Sequence, residues 1–274
     1  MNIAAACVED PFRSARVIRQ YLGLDQSADS INRVLRAMGF KSRHAASKTK
    51  LSDEDRQRRV AWSSLYLNEI NWSSCLFADE SCFSSSREGI KLVKRPVGHR
   101  FDPNYTNKTN HCARKLVSVF GIIYRNGVGP LVRLDSRFTG PVYTELMDSY
   151  AIPFIRDNFG LNEATWIEDN CPAHTCVHSS HWFSICNALH EVNISRMNLP
   201  PYSPDLNIIE NVWGHLKYQL LYDEEPQSAD HLWQMILGHW NQLNSDQELF
   251  TSLYNSMNSR LESIMNSNGY PLKY

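Results

Sequence analysis

The chain has 274 residues, of which 42% are apolar and 21% charged, and its net charge is −1. These values exclude a disordered or low-complexity chain and allow one large domain, alone or with a small one attached. The near-zero total hides an asymmetry: residues 1–50 hold nine Lys/Arg against four Asp/Glu, and the remainder 19 against 25. A small basic head on a mildly acidic body suits a DNA-binding module joined to a carboxylate-bearing one.

The opening "MNIAAACVED" lacks the basic start and long apolar core of a signal peptide, and its residues 2–9 predict a short helix ending before Pro11. Ser14 can cap "ARVIRQYL", where Val17, Ile18, Tyr21 and Leu22 share a face and Gly23 suits the C-terminal cap. Ser27 can cap "ADSINRVLRAM", with Ile31, Val34, Leu35 and Met38 at helical spacing and Gly39 as the stop. Two short helices around a tight glycine-containing turn fit a helix-turn-helix, or an ordinary helical hairpin. In the first case Asn32, Arg33 and Arg36 form the outer face, able to reach base edges or phosphates. "KSRHAASKTKLSDED" (41–55) reads as a basic linker that can also lie along a phosphate backbone, with Lys41 and Arg43 as the candidate contacts. The domain expectation is therefore a helical head at 1–40, a linker at 41–52 and a catalytic body at 53–274.

In the body, Ser52 caps a helix expected over about 53–69. Residues 72–84 ("WSSCLFADESCFS"), 89–95, 115–124 and 129–135 read as strands, with Asn126-Gly127 as a hairpin turn. The longest strongly apolar stretch, "LVSVFGIIY" at 116–124, is too short to span a bilayer. Residues 139–159 begin as a helix, 164–170 ("ATWIEDN") form a strand ending in acids, and a helix covers 207–220. Two helices close the chain, the last opening at Ser245 with Glu248 three residues on, a capping box. Strands first, then strands alternating with helices, predict a mixed α/β core behind a helical head. Seven cysteines, an odd number without dense regular spacing, argue against a secreted disulfide scaffold. A soluble, intracellular protein is expected.

Carboxylates stand at element ends in three places: Asp79-Glu80, Glu168-Asp169 and Glu210. Ligands gather at strand ends bordering a cleft. Phosphoryl chemistry on nucleic acid uses two divalent cations roughly 3.5–4 Å apart, held by anionic oxygens. Each acid alone also has a structural explanation. Asp169-Asn170 before Pro172 fits a turn, and Asn207-Ile208-Ile209-Glu210 fits a capping box with Asn207 as cap. The cluster Cys171, His174, Cys176, His178 and His181 invites zinc, but it has neither Cys-x-x-Cys nor a second knuckle and is discounted. Trp62, Trp72, Trp166 and Trp213 lie on apolar faces and belong to the core.

The words around the acids decide between these readings. "LFADESCF", "EDNCPAHT" and "PPYSPDLNIIENVWGHLK" resemble the three acid-bearing motifs of the mariner superfamily of cut-and-paste DNA transposases, on its Tc-type branch. "SADSINRVLRAMGFKSR" is similar to that family's second DNA-binding helix-turn-helix, "RQRRVAW" to the helix before the core, "GVGPL" to the core hairpin and "SMNSRLESIMNSNGYPLKY" to the C-terminal end. The resemblance implies an RNase H-like core with Asp79, Asp169 and Glu210 as metal-binding triad. Asp79 would bridge two Mg²⁺ or Mn²⁺ ions, Asp169 and Glu210 would each complete one, and Asn170 and His174 would be auxiliary. It further implies cleavage at transposon ends and strand transfer, double-stranded DNA (terminal inverted repeats and target) as partner, a homodimer on DNA, and a nuclear location.

Three departures stand out. The family's proline before Ile-Glu is Ile208 here. Between Asp169 and Glu210 lie 40 residues, several more than is usual for the branch, and the excess is expected as a longer loop within 178–196. The first helix-turn-helix of the family's bipartite region is expected to be absent, because residue 1 already aligns within the second. The competing reading is a truncated or host-adopted derivative that binds DNA without transposing.

Overall fold

The structure, a computed structural model, describes residues 2–42, 51–85 and 115–272. The expected strand at 89–95 and the candidate contact Arg43 lie outside the described residues. The chain divides into two compact units, Met1–Lys48 and Thr49–Tyr274.

The first unit is three helices, α1 (Ile3–Glu9), α2 (Ala15–Leu22) and α3 (Ala28–Ala37). Ser14 and Ser27 cap the second and third, accepting from the backbone N–H of Val17 and Ser30. Gly23 ends α2 at φ +61°, where a side chain would be strained. The core of this unit is small: Ala6, Ile18, Ile31 and Leu35. Val17, Tyr21, Val34 and Met38, expected on the buried faces, are 39–53% exposed. Three short helices enclose too little volume to cover a wider apolar stripe.

The second unit opens with α4 (Asp53–Tyr66), whose first turn is closed by a reciprocal Ser52–Asp55 capping box. A single 3₁₀ turn at Trp72–Ser74 occupies the start of the expected strand. A five-stranded sheet follows, built from β1 (Cys75–Ser84), β2 (Leu116–Tyr124), β3 (Gly127–Leu134), β4 (Ala164–Glu168) and β5 (Ile194–Asn198), in the order β3-β2-β1-β4-β5. β1 pairs antiparallel with β2 and parallel with β4, and β4 pairs parallel with β5. Helices α5 (Gly140–Leu146) and α6 (Ile152–Phe159) are joined by a π-helical turn at Met147–Ala151. After β4 come the single turn α7 (Pro172–Thr175) and α8 (Val177–His190), and after β5 the long helices α9 (Ile209–Leu220), α10 (Ala229–Gln242) and α11 (Gln247–Asn266).

The sheet separates two apolar layers. Cys75, Phe77 and Phe83 of β1 and Ile167 of β4 pack with Val212, Trp213, Trp240 and Tyr254 of α9–α11. Leu76 and Ala78 of β1 and Trp166 of β4 pack on the opposite face with Tyr143, Ile152 and Trp182. This is the period-2 alternation of a strand buried on both faces. Trp62 is only partly buried, while Trp72, Trp166 and Trp213 are core residues.

Two local expectations are corrected. The region 178–196 is not an extended loop: it holds most of α8 and the start of β5, an edge strand whose short "ISRMN" lacks a clean apolar alternation. α11 is capped by Asp246, which accepts from the Leu249 N–H at 3.0 Å, while Ser245 Oγ donates to the Gln242 carbonyl. An acid one residue later outcompetes the serine, because the preceding 3₁₀ turn at Leu243–Ser245 already fixes Ser245.

Candidate active site

Asp79 lies within β1 and Asp169 directly follows β4, its parallel neighbour. Glu210 is the second residue of α9, which packs on β1. Three separated stretches of sequence thus deliver their carboxylates to one cleft of about 550 Å³, lined also by Asn170, Tyr202 and Asn207.

Strand parity decides which acids face it. Asp79 follows Phe77 on the α9 side of the sheet, and Gly121 sits opposite it on β2. A Cβ at Gly121 would lie 2.5 Å from the Trp213 ring. Glycine there lets the indole lie flat over the strand and donate its Nε1–H to Asp79 Oδ2 at 3.2 Å. Glu168 has the opposite parity. It is fully buried, accepts from Tyr143 Oη (2.5 Å) and Trp166 Nε1 (3.0 Å), and pairs with Arg196 at 2.7 Å. Every part of that carboxylate is used structurally.

The cleft acids are compensated unevenly, Asp79 and Glu210 least. Burial, followed by the charges of Glu210, Glu80 and Asp169, pushes the Asp79 carboxyl up to about 8. Burial also raises Glu210, the Asp169 charge adding to it and Lys217 opposing. Among the described residues Glu210 has neither a hydrogen bond nor an ion pair through its carboxylate. It does not close a capping box: the residue before α9 is Ile208, without side-chain cap, and Asn207 Oδ1 is buried with no donor. That alternative is set aside.

Asp169 is held differently. Its Oδ1 accepts from the Cys171 backbone N–H at 2.8 Å and from His174 Nδ1 at 3.0 Å. Burial works to raise its pKa, but these bonds outweigh it and the net shift is downward. His174 has no exposed surface, and its Nε2 reaches Glu80 Oε1 at 3.0 Å. Burial disfavours its cation, yet the hydrogen bonds to Asp169 and Glu80 and the nearby Glu168 charge raise it to about 11. A doubly protonated imidazole therefore clamps two carboxylates. Asp79 and Glu80 lie mid-strand rather than at the strand end expected, and the sequence gives no sign of which member meets a distant histidine.

Asn170 donates Nδ2 to the Leu199 carbonyl at 2.6 Å, tying the end of β4 to the 199–208 segment that forms one cleft wall. That wall is anchored by Arg59, fully buried on α4, which binds both oxygens of Asp205 (2.8 and 2.7 Å), Ser203 Oγ and the Gly269 carbonyl. Asp205 is consequently fully engaged. The Cys/His cluster does not converge: His178 bonds Thr144, Cys176 bonds Ser179, and among the described residues only Glu80, Cys171 and His174 bring ligand atoms within 4.8 Å of one another.

In the first unit Arg33, Arg36 and Lys41 are exposed and Asn32 is half-buried; Asn32, Arg36 and Lys41 line one shallow depression. Among the described residues none of these three cations forms an ion pair. No helix among the described residues is long and apolar enough to cross a membrane.

Residues 74–233 match a family model described as DDE superfamily endonuclease, and residues 1–68 one described as transposase. The chain is 29% identical to the Tcb2 transposase of Caenorhabditis briggsae over all of its own length and 99% of that relative. It is 28% identical to the Tc1 transposase of Caenorhabditis elegans, again over 100% and 99%. Among solved structures, a Mos1 transposase paired-end complex with left transposon end superposes with TM-score 0.79 at 17% identity, covering 99% of this chain and 79% of that one. A Mos1 mariner paired-end complex with Mn gives 0.79 at 16% identity, with the same coverage.

Proposed function

The chain belongs to the DDE superfamily endonucleases, and from that premise we propose that Asp79, Asp169 and Glu210 hold two divalent cations, Mg²⁺ or Mn²⁺, for cut-and-paste transposition of DNA. The observation that carries this reading is that carboxylates from three elements line one cleft, with no arginine or lysine paired to any of them among the described residues. Each of the other two acids contributes to the raised pKa of Asp79, a repulsion that a bound cation removes. The donor set fits hard cations: carboxylate oxygens, with the unpartnered Asn207 Oδ1 in the same wall. Bound there, such cations activate an attacking oxygen and stabilise a leaving one.

The chain's own residues set the geometry. Trp213 fixes the rotamer of Asp79, and Cys171 and His174 fix that of Asp169. Arg59 holds the wall from which α9 departs, so Glu210 is placed by the backbone alone. Water serves as nucleophile for cleavage and a DNA 3′-hydroxyl for strand transfer. Asn32, Arg33, Arg36 and Lys41, with Arg43, contact the DNA ends; the protein acts as a homodimer on DNA in the nucleus. The competing reading, a DNA-binding derivative without transposition, leaves the uncompensated acids without a use.

The test is cleavage of a plasmid carrying the DNA that flanks this coding sequence, with Mg²⁺ or Mn²⁺. The unmutated chain should cut at the element ends. Glu210→Gln should bind the same DNA and cut at least a thousandfold more slowly, about 4 kcal/mol of transition-state stabilisation. Comparable cutting by the variant, or none by the unmutated chain with either cation, overturns the reading.

A further inference from the structure

α9 leaves the cleft with Glu210 at its start, and the residues that follow on the same side of the helix are Gly214, Lys217 and Tyr218, with Tyr222 just past its end. At 100° per residue these helical positions fall within one stripe about 100° wide. Gly214, Lys217, Tyr218 and Tyr222 are all exposed or half-exposed, while the other side of α9 buries Ile209, Val212, Trp213 and Leu216.

Gly214 is the unexplained member. A glycine in the middle of a helix weakens it, and inside proteins the usual reason is a close neighbour. Here a Cβ would meet no described atom within 4 Å. The fold does not need this glycine, and its bare backbone leaves room for something that approaches the helix from outside. Lys217 forms no ion pair among the described residues, and its ammonium rests 5.5 Å from the centre of the Phe83 ring. Tyr218 and Tyr222, 56% and 70% exposed, meet edge to face with centroids 5.0 Å apart and hydroxyls bonded at 3.2 Å. Two exposed rings in contact present an aromatic platform. A bare backbone, an exposed cation and paired rings in line are the parts of a single-strand track.

We propose that the DNA strand leaving the carboxylates runs along this stripe, its phosphates against Gly214 and Lys217 and an unpaired base on the Tyr218–Tyr222 pair. This rests on the transposase reading and adds the direction of the strand and the residues that hold it. From Glu210 to Tyr218 the helix rises roughly 12 Å, a short length of strand beyond the carboxylates. The platform therefore serves a base a few nucleotides from the scissile bond, where a cut end frays.

The experiment uses the full chain and a labelled duplex of the flanking DNA with a four-nucleotide single-stranded end, carrying 2-aminopurine at each position of that end in turn. Gly214→Leu should weaken binding at least tenfold, with a melting temperature equal to or above that of the unmutated chain. Gly238→Leu is the control, since Gly238 also sits in mid-helix with no described atom within 4 Å of a Cβ, but lies on α10. It should bind unchanged. Fluorescence quenching at one 2-aminopurine position should vanish in Tyr218→Ala/Tyr222→Ala and persist in the double Phe variant, which keeps the rings. Binding by Gly214→Leu within twofold of the unmutated chain, or quenching that survives the double Ala change, overturns the track while cleavage by the unmutated chain keeps the functional reading standing. An unmutated chain that neither binds nor cuts overturns both.

Discussion

Two sets of acids lie within one domain and are treated in opposite ways. Glu168 and Asp205 are withdrawn from solvent and saturated: the first by Arg196, Tyr143 and Trp166, the second by Arg59, with the Leu272 N–H also bonding it. Asp79, Asp169 and Glu210 share a cleft with no arginine or lysine paired to any of them among the described residues. Asp79 is as enclosed as many core residues, at 9% exposure. Burial alone therefore does not mark a functional acid. What sets Asp79 apart is burial with no paired cation among the described residues, a cost in free energy that a bound cation would recover.

Substitutions can break this contrast from either side. The largest effect is expected at Arg59→Ala, which strands Asp205 as a buried unpaired charge and should cost about 3–5 kcal/mol in urea unfolding. A loss below about 1 kcal/mol would mean Asp205 is not the saturated acid it looks to be.

Asp79→Asn should act in the opposite direction. The carboxyl stands at about 8 in the folded protein against an ordinary aspartate value of 3.8. Its contribution to stability is therefore fully present below the unfolded value and is lost as pH rises through the folded one. In EDTA, the gap in unfolding free energy between Asn variant and unmutated chain should open from pH 4 to 8 and level off above, reaching a few kcal/mol, on the order of 1.4 per pH unit at most. Millimolar Mg²⁺ should close the gap by stabilising only the unmutated chain. A gap independent of pH and of Mg²⁺ would remove Asp79 from the uncompensated set.

The same conservative change at two acids sharpens the comparison further. Glu168→Gln removes the charge partner of Arg196 and should destabilise by roughly 2 kcal/mol, while Glu210→Gln should change stability by less than about 0.5 kcal/mol. Equal losses at the two sites would show that Glu210 has a structural bond after all. The smallest effect on folding belongs to the exposed cations of the first unit. Arg33→Ala with Arg36→Ala should leave the melting temperature unchanged and lower the salt slope of DNA binding by roughly 0.9 for each phosphate no longer neutralised. An unchanged slope would remove α3 from the DNA face.

Features with local causes were legible in the sequence. Ser14, Ser27 and Ser52 cap the helices they precede and Gly23 ends α2, because each interaction spans at most a few residues. The three acid-bearing motifs and their resemblance to a transposase family were readable too, and the geometry brings their acids together. Long-range features were not legible. Nothing in "ISRMN" announces β5, whose strand character comes from pairing with β4, and the excess length before Glu210 became α8 and β5 rather than loop. Asp246 displaced Ser245 as a cap because the preceding turn had already engaged the serine.

By itself the sequence determined the list of candidate acids, the helix starts and the basic head, since composition and short spacings carry those. Only the tertiary structure decided which acids line the cleft and which are spent on structural pairs. Glu168 and Asp169 are adjacent in the chain and chemically alike, but strand pleating sends one into Arg196 and Tyr143 and leaves the other at the cleft with His174. Glu210 could equally have been a helix cap until the backbone placed its carboxylate in the cleft of Asp79, with no donor bonded to it among the described residues. The partners of these acids lie more than a hundred residues away, such as Trp213 for Asp79 and Arg59 for Asp205, and no local pattern encodes them.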